Sequence, residues 1–87
     1  MQYMIVERFH DPVQVYERLR VKGRQAPAGL TYIDSWVDED LEWCFQLMET
    51  ADPKLLDVWM ENWSDLVEFE IHPVTSSAEA AARALKR

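Results

Sequence analysis

The stretch Leu30–Thr50, LTYIDSWVDEDLEWCFQLMET, constrains the fold more than any other part of the chain. Two runs rich in β-branched and aromatic residues flank the acidic turn Asp38-Glu39-Asp40, which predicts strands over about 30–37 and 41–49. So short a connection makes the two strands antiparallel neighbours. The remaining elements must be added to this pair.

Two Asp-Pro dipeptides, Asp11-Pro12 and Asp52-Pro53, sit at equivalent points on either side of the hairpin. Asp is a good N-cap and Pro is pre-organised for the first helical position, so each predicts a helix start. After the first, Val13, Tyr16 and Leu19 follow helical spacing, and the helix ends at Gly23 or within Pro27-Ala28-Gly29. After the second, Leu56, Trp59, Met60 and Trp63 stand at i, i+3, i+4 and i+7, a clear apolar face. That spacing marks the two tryptophans as core. Residues 2–9, QYMIVERF, predict an opening strand, and Leu66–Val74 a closing one in which Val67, Phe69 and Ile71 alternate with Glu68, Glu70 and His72. Ser76 and Glu79 fit a capping box, so residues 76–87 predict a last helix with a narrow, alanine-rich apolar face.

The order β-α-β-β-α-β plus a helix is that of the ferredoxin-like, α+β arrangement. Right-handed crossovers put the first two helices on one face of a four-stranded antiparallel sheet in the order 4-1-3-2. The 87 residues hold one such domain and no second core.

Strand parity then sorts side chains between the two faces. Trp43, Phe45 and Leu47 are assigned to the helices, with Ile33, Val37, Val67, Phe69 and Ile71; the opening strand is apolar on both faces, and Met4 and Val6 are chosen as its inward set. The helix-free face is then expected to carry Tyr3, Ile5, Tyr32, Trp36, Cys44 and Met48 among Glu7, Asp34, Gln46, Glu70 and His72. So much exposed aromatic surface predicts a homodimer formed sheet to sheet, with a pocket between the subunits.

The run from Tyr32 to Val74 carries Ser35-Trp36-Val37-Asp38, Cys44-Phe45-Gln46-Leu47-Met48-Glu49-Thr50, Trp59, Trp63, Asp65-Leu66-Val67 and Phe69-Glu70. In these motifs it resembles a bacterial family of domains of unknown function, numbered 3303. The resemblance covers nearly the whole chain and implies a small stand-alone dimeric α/β-barrel protein. It carries no activity and no catalytic residues.

His72 shares a strand face with Glu70 and is the candidate catalytic group, a proton shuttle charge-balanced by a carboxylate. Glu7, Tyr32, Asp34, Trp36, Gln46 and Glu70 are the candidate ligand-binding residues. His10 reads as a loop residue. Cys44 reads as a small buried filler, since no flanking base signature activates it. The two histidines and one cysteine have no metal-ligand spacing, and the three consecutive acids of the turn lack the alternation and glycine of a calcium loop. No cofactor motif is present: phosphate loops, nucleophile elbows and C-x-x-C pairs are missing.

A net charge of −7 argues against nucleic acid as a partner. Arg18, Arg20, Lys22 and Arg24 read as a solvated helix end. The N-terminus has no signal-peptide pattern and no run reaches transmembrane length, which predicts a soluble cytoplasmic protein with no membrane partner. Three functions fit: a module binding a small organic ligand; a cofactor-independent monooxygenase, isomerase or decarboxylase using His72 with Asp34 or Glu7; or a structural protein with no ligand site.

Overall fold

The structure, a computed structural model, describes residues 1–86. Seven elements follow in order: β1 (Gln2–Phe9), α1 (Pro12–Lys22), β2 (Thr31–Val37), β3 (Trp43–Glu49), α2 (Lys54–Glu61), β4 (Val67–Val74) and α3 (Ser77–Ala84). The sheet is fully antiparallel in the order β2-β3-β1-β4, the ferredoxin-like order expected. The expected last helix is shorter than residues 76–87, and Arg87 lies outside the described residues.

Local chemistry accounts for each boundary. Asp11 caps α1 by accepting from the Val13 and Gln14 amides at 3.1 and 3.3 Å, with Pro12 in the first turn. At the second Asp-Pro the cap position falls on Pro53, one residue later than expected and with no side-chain cap bond, while the Asp52 carboxylate accepts from the Lys54 amide at 3.0 Å. The Ser76 hydroxyl accepts from the Glu79 amide at 3.1 Å and starts α3. In the hairpin, Asp38 is structural: its Oδ1 accepts from the Glu42 and Trp43 amides at 2.9 and 3.0 Å, and Leu41 closes the turn at φ 57°.

The core lies between the sheet and α1 and α2, and Trp59, Leu56, Ile5 and Met48 are its most enclosed side chains. Strand facing differs from expectation on both central strands. Tyr3, Ile5, Glu7 and Phe9 of β1 and Cys44, Gln46 and Met48 of β3 face the helices and are buried. Met4, Val6, Trp43, Phe45 and Leu47 point to the open face. The cause is register. The apolar set of β4 is Val67, Phe69 and Ile71, which must face inward. Pairing of Phe9 with Val67 and Ile5 with Ile71 turns the odd residues of β1 inward too. Pairing of Ile5 with Gln46 and Glu7 with Cys44 then turns the even residues of β3 inward. On β2, Val37 lies opposite Cys44 on the helix side as expected. A bulge between Tyr32 and Asp34 leaves Ile33 unpaired and puts Tyr32 on the helix side, while Asp34 and Trp36 stay on the open face.

The segment joining α1 to β2 is held by α2 and the turn that follows it. The indole Nε1–H groups of Trp59 and Trp63 both donate to one carbonyl, Arg24 O, each at 3.0 Å. The Asn62 amide adds a bond to Gln25 O at 3.3 Å. The segment turns through left-handed conformations at Gln25 (φ 62°) and Gly29 (φ 94°). A Cβ on Gly29 would also meet Leu55 Cδ1 at 2.9 Å. Gly29→Ala is therefore expected to destabilise the fold by about 1–3 kcal/mol. Urea denaturation should show a lower midpoint at unchanged slope. An unchanged or higher midpoint would show that this turn is not conformationally demanding.

Candidate functional site

Register brings Glu7 of β1 and Gln46 of β3 together on the helix side, in the interior of the domain. Both are buried, at 5% and 4% exposure. Gln46 Nε2 donates to Glu7 Oε2 at 2.6 Å, and Arg24 Nε donates to Gln46 Oε1 at 2.6 Å. The Arg24 guanidinium also lies 3.6 Å from the centre of the Tyr32 ring, a close cation–π stack. The Tyr32 hydroxyl is 2.7 Å from the Ser35 hydroxyl. A chain of polar contacts therefore runs from the edge strand β2 through Arg24 and Gln46 to a buried carboxyl.

That carboxyl lines a cavity of about 70 Å³ between the sheet and the two helices. In this measure one water needs about 10–15 Å³, so the space holds a few waters or one small molecule. Its apolar wall includes Phe9, Tyr16, Trp59 and Trp63. Its polar side is made by Glu7, Gln46, Arg24 and Ser35, with Cys44 beside Glu7. The hollow is mostly apolar with a few convergent polar groups, and at about 70 Å³ it is smaller than the roughly 300–1,000 Å³ pockets that hold drug-sized ligands.

Burial sets the electrostatics. Desolvation pushes Glu7 up from the ordinary 4.5 to about 7, overcoming the hydrogen bonds from Gln46 and Cys44 and the attraction of Arg24. Desolvation, followed by the charge of Glu7, pushes the Cys44 thiol up to about 12. Cys44 is thus a neutral thiol at physiological pH and has no nucleophilic character. Burial therefore brings the charge change of Glu7 close to neutrality.

The expected ligand-binding set is divided between the two faces. Glu7, Tyr32 and Gln46 lie on the helix side, where Glu7 and Gln46 line the cavity. Asp34, Trp36, Glu70 and His72 lie on the open face and have no part in it. His72 pairs with Glu70 at 3.2 Å, as parity predicted, but both groups are more than half exposed. His10 sits in its loop, 2.9 Å from Glu68. Among the described residues, no group of three or more His, Cys, Asp or Glu is placed to hold a metal ion.

Sequence reading missed Arg24, which it grouped with the charges of α1. Arg18 and Arg20 do behave as helix-surface groups, paired with Asp65 and Glu17 at 2.7 and 2.8 Å. Arg24 lies beyond the Gly23 cap, and that position was the available signal that it belongs to the loop. Trp59 and Trp63 were correctly read as core, but their edges also form part of the cavity wall.

A ferredoxin-like domain with one buried carboxyl beside a small hollow is therefore what fold and site define. The chain belongs to the family described as domain of unknown function DUF3303, whose pattern it matches over residues 1–87. No curated protein and no solved structure matches it. Among the described residues, no helix is long and apolar enough to cross a membrane.

The position of Glu7 makes a pH prediction with a definite sign. Its folded pKa, about 7, lies above the ordinary 4.5, so the folded state binds more protons between these values. The stability contributed by neutral Glu7 is complete below pH 4.5 and is lost as pH rises through about 7. The loss approaches roughly 3 kcal/mol, at 1.36 kcal/mol per pH unit. Relative to Glu7→Gln, the wild type should lose stability by that order between pH 4.5 and 8 in urea titrations. Parallel pH profiles for the two proteins would mean that Glu7 titrates normally.

Proposed function

We propose that this chain is a small-molecule-binding module whose site is the helix-side cavity, with Glu7 exchanging hydrogen bonds or a proton with the ligand. The observation that carries this reading is a buried carboxyl, raised to about 7, facing a hollow walled by aromatic rings. The ligand is a small organic molecule with an apolar body and one hydrogen-bonding group. Its body packs against Trp59, Phe9 and Tyr16, and its polar group meets Glu7 beside the Gln46–Arg24 relay. Because Glu7 serves as donor when protonated and acceptor when ionised, affinity depends on pH near neutrality.

The same carboxyl favours a second reading, a cofactor-independent acid–base enzyme. In that case Glu7 moves the proton, and His72 on the opposite face does not. Fragment binding followed by tryptophan fluorescence checks both readings. Compounds that quench Trp59 and Trp63 in the wild type should lose at least tenfold in affinity in Glu7→Gln. They should fail to bind Val15→Phe, in which a larger ring occupies the hollow. Equal binding by all three folded proteins would remove the cavity from consideration. Turnover of a bound compound, lost in Glu7→Gln and kept in His72→Ala, would select the enzyme.

The module works as a homodimer in which two open sheet faces meet, the dimeric α/β-barrel arrangement. Trp36, Trp43 and Phe45 stand 53%, 38% and 39% exposed on this face, with Met4, Val6 and Leu47 half-buried between them. Fully burying a side chain of this size from water is worth about 1.5–3 kcal/mol, and covering the half still exposed on each gives roughly half of that, an incentive for a self-complementary contact. Sedimentation should show a dimer at micromolar concentration, and Phe45→Glu should give a folded monomer. A wild-type monomer would overturn the dimer and leave the cavity untouched.

A further inference from the structure

α3 is a helix without a place in its own domain. None of Ser77–Ala84 is buried. Isolated helices shorter than about 12–15 residues are marginal in water even when rich in alanine. Ser76 supplies a cap, and Arg83 pairs with Glu79 at 3.4 Å, but both groups of that pair are exposed and contribute little. What the helix lacks is cover for one face. Ala78, Ala81, Ala82 and Leu85 align at helical spacing, and Leu85 is 83% exposed.

The chain also exposes a matching surface. β2 and β4 are opposite edges of the sheet. A two-fold axis parallel to the strands, placed between two open faces, sets β4 of one subunit over β2 of the other. α3 follows β4 after a two-residue connection, so in such a dimer it would emerge beside the partner's β2. That edge carries the exposed Trp36 and, at the bulge, the unpaired and exposed Ile33. The charges agree as well. The last turn of α3 and the residues after it carry Arg83 and Lys86, whereas the nearer half of β2 carries Asp34. At about 1.5 Å per residue the eight residues of α3 span about 12 Å, enough to run along half of a seven-residue strand.

We infer that α3 is an arm for a second copy of this chain. Its alanine–leucine stripe packs on the partner's Ile33, and its basic end meets the partner's Asp34. The occupant is this chain itself, since one molecule carries both halves of the contact in a self-complementary arrangement. The inference rests on the sheet-to-sheet dimer and adds to it the fate of α3.

The test uses the full chain, with Cys44→Ala leaving no native thiol. A nitroxide is attached at Ala80→Cys, off the apolar stripe, and this protein is mixed with an equal amount of nitrogen-15-labelled Cys44→Ala chain. Broadening of the labelled chain's Ile33, Asp34 and Ser35 amides is the expected result, and it is necessarily intermolecular. In parallel, Arg83→Glu combined with Lys86→Glu, in chains that keep Cys44, should raise the dimer dissociation constant about tenfold, an effect that shrinks at high salt. A dimer without that broadening, and with unaltered dissociation in the charge-reversed protein, overturns the arm and leaves the sheet-to-sheet dimer standing. A monomer at all concentrations overturns both.

Discussion

The structure depends on one carbonyl. Arg24 O receives the indole N–H of both Trp59 and Trp63, which locks the segment between α1 and β2 against α2. A tryptophan buried in a core must satisfy its N–H, and here two are satisfied together at the point where the chain has to turn. The backbone so fixed aims the Arg24 side chain at Gln46, and Gln46 reaches Glu7. Without Arg24 the buried Gln46 amide oxygen would have no partner, at a cost of about 1–3 kcal/mol. Core packing and the candidate site are therefore one construction.

That construction divides the domain into two faces with separate tasks. The helix side combines aromatic packing with a small polar centre whose charge is unsettled near neutrality. The open face is the reverse, with an apolar middle and charged edges. A polar group buried beside a hollow is costly for stability, and such cost is most often met at functional sites. An apolar sheet face in water is costly in another way, and covering it would relieve that cost. The two demands fall on alternate residues of the same strands, so Phe45 and Gln46 serve different ends although they are adjacent in the chain.

Much of the architecture was legible because its signals are local. Both Asp-Pro starts, the i, i+3, i+4, i+7 face of α2, the Ser76 cap and the alternation of β4 each act over a few residues. Together with the handedness of crossovers they led to the observed strand order. The candidate site was legible only in part. Glu7, Gln46 and Tyr32 were named, but in company with Asp34, Trp36, Glu70 and His72, which look the other way. β1 and β3 carry apolar residues on both faces, so alternation within either strand could not say which side was in. Choosing the bulkier set placed Trp43, Phe45 and Leu47 in the core, where Cys44, Gln46 and Met48 belong.

By itself, then, the sequence determined which segments become strands and helices, where they start, and how they are ordered in the sheet. These outcomes follow from capping, proline geometry and periodicity, which need no distant partner. Tertiary structure alone decided which face of the hairpin turned inward. The register between β4, β1 and β3 carries one strand's unambiguous parity to its neighbours, and the bulge at Ile33 reverses it for Tyr32. That choice turned the hairpin's largest side chains away from the helices and built the candidate site from its smaller ones.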